Sequence, residues 1–229
     1  MTTRAHFQTE IMGLRTGLVE MASLVLAQVE RAVAAWDDVD PVAAAEVAGG
    51  DDRIDDRCLD LDQKVFSLQL LEAPVASDLR LLHVGLIAVI ALERVGDLAV
   101  SIAKLAGSVP PEGAVPSVQS LIRRMSARSV DSLAQAVQAI ARGDADLGEE
   151  AVDAANGVRL MLDDVLVAAA EAPDSPETRT WATAAVLVGR HLERVANNAA
   201  ELGGRVRFLV SGELFARAPR PAVASDELP

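Results

Sequence analysis

The sequence predicts an all-α protein built from two tandem antiparallel three-helix bundles, and three observations support this fold class. Six stretches carry apolar residues three or four positions apart, which is the period of an α-helix, and none alternates as a strand would. Residues 107–116 contain three prolines and two glycines and separate three of these stretches from the other three. The phrase Leu-Glu-Arg-Val occurs at 92–95 and again at 192–195, which indicates two copies of one structural unit.

The first repeat contains three predicted helices. Apolar side chains recur at helical spacing from Phe7 to Trp36, and this first helix ends in Asp-Asp-Val-Asp. The second helix begins with Asp40 as its cap and a proline at its first position. Ser77 is the predicted cap of the third helix. The predicted ranges are 7–36, 40–72 and 77–106.

The second repeat follows the same order. A Gly143-Asp144 break separates its first two helices, and Ser175 with Pro176 opens its last helix. The predicted helices cover 117–142, 144–171 and 176–211. In terms of domains, we expect a first bundle at 1–108, a linker at 109–116, a second bundle at 117–215 and a disordered tail at 216–229.

Composition narrows the classes of function. The chain has 229 residues, 51% of them hydrophobic, which suffices for a large core. Its formal net charge of −13 disfavours binding to nucleic acid or to an anionic lipid surface. The clearest apolar run, residues 81–92, is too short to span a bilayer, and the first residues lack the apolar region of a secretory signal. The single cysteine, Cys58, excludes an internal disulfide, which is typical of a reducing cytoplasm. We therefore expect a cytoplasmic protein, and the short apolar run predicts that it has no membrane span.

Two pairs of carboxylates stand out. Glu93 and Asp97 are four residues apart in the third predicted helix, on a stripe that is otherwise apolar. Asp51 and Asp55 have the same spacing in the second predicted helix. Since these helices are neighbours in an antiparallel bundle, we expect the four side chains to meet. Carboxylates are hard oxygen ligands, so the predicted site suits metal ions such as Fe, Zn, Mn or Mg.

Three motifs of the first repeat carry a resemblance to a known family. They are Asp-Arg-Ile-Asp at 52–55, Pro-Val-Ala-Ser-Asp-Leu-Arg at 74–80 and Glu-Arg-Val-Gly-Asp at 93–97. Together with the duplicated phrase and the order of six helices, they make the chain from about residue 6 to 215 resemble the PhoU family. That resemblance implies a tandem three-helix-bundle fold, frequent homodimers, and metal clusters held by Glu/Asp-x-x-x-Asp motifs. In the first repeat, these motifs fall on Asp51 with Asp55 and on Glu93 with Asp97.

The second repeat departs from the family pattern. Its last-helix motif falls on Glu193 and Asn197, so an amide replaces one acid. The apolar pattern places its middle-helix motif on Ala155 and Arg159. An alternative alignment with intact acids places that motif on Glu149 and Asp153.

The loss of acids suggests that a fixed cation replaces the metal in the second repeat. If Arg159 stands where the family has an acid, its guanidinium can pair with Glu193. Arg190, one turn before Glu193, is the other candidate for this ion pair.

The leading functional hypothesis is a non-catalytic regulator, because no nucleophile with its base and no phosphate-binding glycine loop can be identified. The resemblance implies negative regulation of phosphate uptake and of phosphate-starvation signalling. The implied partners are the ATP-binding subunit of a phosphate ABC transporter and a sensor histidine kinase, with Asp78, Arg80 and Arg94 as candidate contacts. Two alternatives remain open: a carboxylate-bridged di-metal oxidase, which normally requires Glu-x-x-His motifs that this sequence lacks, and a metal-dependent adaptor for another transporter.

Overall fold

A computed structural model describes residues 3–72 and 74–213, and in these ranges the chain contains helices and no strand, which confirms the predicted fold class. The α-helices are α1 Thr3–Asp38, α2 Pro41–Gly49, α3 Asp52–Glu72, α4 Ser77–Ala106, α5 Pro116–Arg142, α6 Ala145–Ala170 and α7 Pro176–Ser211, with a short 3-10 helix at Pro111–Gly113. The predicted tail at 216–229 lies outside the described residues. None of the helices described has an apolar stretch long enough to cross a bilayer.

Local sequence signals explain most helix ends. The Asp40 carboxylate accepts hydrogen bonds from the backbone N–H groups of α2, and the Ser175 hydroxyl accepts one from the first turn of α7, as predicted. Gly143 ends α5 in the left-handed conformation with φ of 67°, which glycine adopts without steric cost. The predicted cap at Ser77 is wrong: Ser77 is already helical, and Ala76 precedes it with φ of 49° and makes no side-chain hydrogen bond.

The predicted second helix is interrupted. Residues 40–72 form two helices, α2 and α3, with Gly50 and Asp51 in a turn between them. Two consecutive glycines explain the break, since glycine costs roughly 1 kcal/mol relative to alanine in a helix interior. The Asp51 carbonyl then accepts hydrogen bonds from the N–H groups of Ile54 and Asp55 and so begins the first turn of α3.

The two bundles pack together through corresponding helices of the two repeats, α1 against α5 and α4 against α7. One bundle consists of α1, the α2–α3 pair and α4, and the other of α5, α6 and α7. At the α1–α5 contact, Arg15 donates to the Ala141 carbonyl at 2.6 Å. At the α4–α7 contact, Arg80 donates from the beginning of α4 to the Leu209 carbonyl near the end of α7, at 3.1 Å. Both pairs of helices therefore run antiparallel, as expected of two repeats related by an approximate twofold axis.

The core is continuous across this interface. Trp36 from α1 and Trp181 from α7 are fully buried, and their ring centroids lie 5.3 Å apart. Trp36 is a core residue, as the apolar spacing of the first predicted helix indicates, and Trp181 is one as well. The bundles also meet directly where α4 packs against α7, and most of the functional residues discussed below lie on these two helices and at the beginning of α3.

Candidate metal centre

The four acids of the first repeat lie on the facing sides of α3 and α4. Asp51 is in the turn that precedes α3, Asp55 is in its first turn, and Glu93 and Asp97 are in the middle of α4. Close packing at Gly96 brings the two helices together, because a Cβ atom there would lie 3.3 Å from Asp51 Oδ1. The packing of helix on helix therefore places the two pairs of acids beside each other.

These carboxylates perturb one another. The pKa of Glu93 is raised by desolvation and then by the negative charges of Asp97 and Asp55. The pKa of Asp55 is likewise raised by desolvation and then by the charges of Asp51 and Asp97. The cluster thus carries like charges that partly oppose their own ionisation, and a divalent cation would relieve this repulsion.

The residues fit a metal ion in charge and in ligand type. All four side chains are oxygen donors of the kind that Mg, Mn and Fe prefer. Across residues 3–72 and 74–213, however, no group of three or more His, Cys, Asp or Glu side chains is already arranged to hold one ion. Coordination of an ion by Asp51, Asp55, Glu93 and Asp97 would therefore require their side chains to turn towards it.

A buried glutamine supports the cluster and was missed by sequence reasoning. Gln28 of α1 is 1% exposed and donates from Nε2 to Asp51 Oδ1 at 2.9 Å. This bond satisfies the buried amide and orients the Asp51 carboxylate, while the other carboxylate oxygen stays available. The signal in the sequence is a lone amide on the apolar face of α1, next to Val25 and Val29, but its partner cannot be identified from spacing.

A thiol also borders the cluster. Cys58 of α3 is half-buried and packed against the core. Its pKa is raised by desolvation and then by the negative charge of Glu93, with smaller contributions from Asp62 and Asp55. The raised pKa keeps the thiol protonated near neutral pH, so the site as it stands presents carboxylate oxygens and a neutral sulfur.

The second repeat contains an ion pair at the corresponding position. Glu193 is only 5% exposed and pairs with Arg190 one turn before it on α7. Arg159 is exposed on α6 and forms no ion pair with Glu193. The Arg190 alternative is therefore confirmed, and the pairing of Glu193 with Arg159 is wrong. Asn197, the counterpart of Asp97, is exposed.

The contacts between α6 and α7 support the first of the two alignments. Gly189 faces Leu162, and Gly203 faces Ala151, so the α7 positions between these glycines lie opposite the α6 residues between 151 and 162. Ala155 is buried in this stretch. The acids of the alternative alignment, Glu149 and Asp153, are exposed.

The candidate partner contacts are in different environments. Arg80 is half-buried and bonded to the Leu209 carbonyl, so it joins the two bundles. Asp78, two residues earlier, is half-buried, and Arg94 is exposed beside the carboxylate cluster. A role for these residues in binding a partner stays a prediction.

The fold and the site define a class: a helical-bundle protein of two repeats, with a carboxylate cluster in one repeat and an ion pair in the other. The PhoU domain profile matches this chain twice, at residues 18–106 and 122–206. The chain therefore belongs to the PhoU family.

Individual relatives agree with this assignment. The chain is 30% identical over 216 residues to a protein of Pseudomonas aeruginosa named phosphate-specific transport system accessory protein PhoU homolog, covering 90% of this chain and 86% of that protein. It is 30% identical over 219 residues to PhoU homolog 2 of Mycobacterium tuberculosis, covering 93% and 99%. The crystal structure of PhoU from Pseudomonas aeruginosa superimposes with a TM-score of 0.82 at 29% identity, covering 90% of this chain and all of that one. PhoU from Streptococcus pneumoniae shares the fold, with a TM-score of 0.82 at 21% identity over 92% of this chain and all of that one.

Removal of one negative charge from the carboxylate cluster is expected to stabilise the metal-free protein. Because folding raises the pKa of Glu93 and of Asp55, these groups favour the folded state below the ordinary carboxyl pKa of about 4, and this contribution is lost as the pH rises through the raised values. In chelator at pH 7, Glu93→Gln should therefore stabilise the protein by about 0.5 kcal/mol, or about 1–2 °C in Tm. Thermal unfolding at pH 7 and at pH 4 measures this gain, which should shrink at the lower pH.

The matched control is Glu150→Gln, which changes an exposed glutamate of α6 outside the cluster and should leave Tm unchanged. A lower Tm for Glu93→Gln than for this control at pH 7 would contradict the prediction, because it would mean that the Glu93 charge stabilises the metal-free fold.

Proposed function

We propose that this protein is a non-catalytic, cytoplasmic regulator of phosphate uptake and of phosphate-starvation signalling. The observation that supports the proposal most directly is the pair of PhoU domains that together cover most of the chain. Relatives of similar length are named accessory proteins of a phosphate-specific transport system. The chain contributes a rigid, acidic helical module, which suits binding to other proteins better than catalysis.

In this proposal, the protein acts by docking. When phosphate is plentiful, it binds the ATP-binding subunit of a phosphate ABC transporter and a sensor histidine kinase, and it thereby restrains both uptake and signalling. It acts as a homodimer. Asp78 and Arg94, which are both at least partly exposed, are the proposed contact residues, whereas Arg80 holds the beginning of α4 against α7.

The proposed metal site belongs to the first repeat alone. Asp51, Asp55, Glu93 and Asp97 would hold the ion, and Gln28 orients the first of these carboxylates. A bound cation supplies positive charge that neutralises the cluster and ties the beginning of α3 to the middle of α4. The second repeat does not need an ion, because Glu193 already has a cationic partner in Arg190.

The test uses the internal repeat as its control. Asp97→Asn creates in the first repeat the amide that the second repeat already has at Asn197, and Asn197→Ala changes the equivalent position of the second repeat. We expect untagged wild-type protein to contain metal by elemental analysis, Asp97→Asn to have lost most of it, and Asn197→Ala to match the wild type.

Association with partners is measured on the same samples. The ATP-binding transporter subunit and the kinase are each immobilised, and retention of the regulator is compared with and without millimolar phosphate. The regulatory proposal expects phosphate-dependent retention on at least one of the two. Absence of retention on both would overturn the regulatory proposal, and equal metal content in the wild type and in Asp97→Asn would overturn the metal site.

A further inference from the structure

A groove between the two bundles carries three basic residues, of which the proposed function uses only Arg94. It lies where α4 crosses α7, beside the carboxylate cluster, and has a volume of 380 Å³. We call it the inter-bundle groove, and its polar lining residues are Asp51, Arg94, Asp97, Ser101, Lys104 and Arg194. Three cationic side chains thus share a small groove with two carboxylates, in a chain whose net charge is −13.

The internal repeat explains why two arginines share this groove. Arg94 and Arg194 occupy the same position of the duplicated Leu-Glu-Arg-Val phrase. Each arginine alone looks like an ordinary exposed residue of its own bundle. Because α4 and α7 pack antiparallel across the approximate twofold axis, their middles meet, and the two arginines come to line the same groove.

Among the described residues, none of the three groove cations forms an ion pair within 4 Å. In the described part of the chain, seven ion pairs within 4 Å engage other arginines and a lysine, and none involves Arg94, Lys104 or Arg194. The two carboxylates of the groove, Asp51 and Asp97, form no ion pair with them within 4 Å. Asp51 instead accepts a hydrogen bond from Gln28. The three positive charges in the groove repel one another. An anion bound between them would be attracted to all three and would offset this repulsion.

We propose that the inter-bundle groove binds a free tetrahedral oxyanion, with inorganic phosphate as the ligand. Arg94 and Arg194 clamp it from the two repeats, since the planar guanidinium fork matches phosphate oxygens, and Lys104 adds a third charge. The volume of the groove accommodates one such ion with accompanying water. Asp51 and Asp97 on the same wall weaken binding, so an ion that neutralised them would strengthen it. The inference goes beyond the proposed function because it requires neither a partner protein nor a metal.

The experiment is a calorimetric titration of the full-length protein with inorganic phosphate, run in chelator and again with Mg²⁺. We expect binding in both conditions, weaker in chelator, and competition by sulfate. Arg94→Gln and Arg194→Gln should each weaken binding about tenfold or more, because each removes charge-assisted hydrogen bonds to the anion. The matched control is Arg159→Gln, an exposed arginine on α6 outside the groove, which should bind like the wild type.

Three outcomes would overturn the proposal. They are absence of wild-type binding at millimolar phosphate in chelator, groove variants that bind as well as Arg159→Gln, and tighter binding of a phosphoserine peptide than of free phosphate. The last outcome would assign the groove to a phosphorylated segment of another protein. Thermal unfolding of each variant shows whether a loss of phosphate binding is caused by a loss of the folded structure. The variants Arg94→Lys and Arg194→Lys then test whether a positive charge without the guanidinium group restores part of the phosphate affinity.

Discussion

Trp36→Ala is expected to lower the free energy of unfolding by about 3–5 kcal/mol, a large share of the 5–15 kcal/mol that typically stabilises a folded protein. Trp36 is fully buried, and its ring lies 5.3 Å from that of Trp181 in the opposite bundle. Removal of the indole deletes a large apolar contact and leaves a cavity between two helices that cannot collapse without a shift of one bundle against the other.

Urea unfolding followed by circular dichroism measures the cost, and Phe66→Ala is the matched control. Phe66 is also a large aromatic residue of the first bundle, but it is 64% exposed, so its truncation should cost less than 1 kcal/mol. Equal costs for the two variants would contradict the interpretation of the tryptophan pair as a stabilising contact between the bundles.

The same variant tests whether the bundles unfold together. The wild type should unfold in one transition, because the core is continuous from α1 to α7. With the tryptophan contact removed, the bundles lose part of their coupling, and a second transition is expected. The chain has two tryptophans, so the fluorescence of Trp181 in the variant reports on the bundle interface directly. Loss of the interface should also weaken phosphate binding in the inter-bundle groove, since Arg94 and Arg194 belong to different bundles.

Periodicity in the sequence was sufficient to predict the helices, because most of them are amphipathic and end at strong local signals such as Asp40 and Ser175. The errors arose where the backbone departs from those signals. Gly49 and Gly50 permit a turn that the apolar period does not reveal, so one predicted helix is two. At Ala76, a positive φ before α4 replaces the expected serine cap.

The candidate site was predictable to the extent that it depends on neighbouring helices. Spacing of four residues on two adjacent helices was enough to predict that Asp51, Asp55, Glu93 and Asp97 lie close to one another. Contacts that depend on the packing of a third element were not predictable. The hydrogen bond from Gln28 requires the register of α1 against the turn before α3, and the meeting of Arg94 with Arg194 requires the docking of two bundles. Periodicity determines which face of a helix is buried, but it does not determine which helices of the two bundles pack against each other.

Arg190→Gln is expected to lower the free energy of unfolding by about 2–3 kcal/mol, because it leaves the carboxylate of Glu193 buried without its cation. Breaking a fully buried pair costs roughly 3–5 kcal/mol. The expected loss of unfolding free energy is smaller for Arg190→Gln because the Arg190 side chain is largely exposed, so water partly screens the pair. Glu193→Gln removes the charge that needs a partner and should cost less than 1 kcal/mol.

A double-mutant cycle with urea unfolding separates the pair from the individual side chains. The double variant Arg190→Gln/Glu193→Gln should recover most of the stability lost in Arg190→Gln, and the coupling energy should exceed 1 kcal/mol. Arg159→Gln is the control, since this arginine of α6 forms no ion pair with Glu193 and its loss should change stability by less than 0.5 kcal/mol. A cost for Arg159→Gln equal to that for Arg190→Gln would contradict the assignment of the partner.

The same variants connect stability with metal content. If Arg190 takes the place of an ion in the second repeat, Glu193→Gln should leave the metal content of the protein unchanged, while Asp97→Asn lowers it. Loss of about half of the bound metal in Glu193→Gln would show instead that both repeats hold ions. If the metal content of Glu193→Gln is unchanged, the two repeats compensate one acidic pattern in different ways: the first through ligands for a cation from solution, and the second through a cation that is part of the chain.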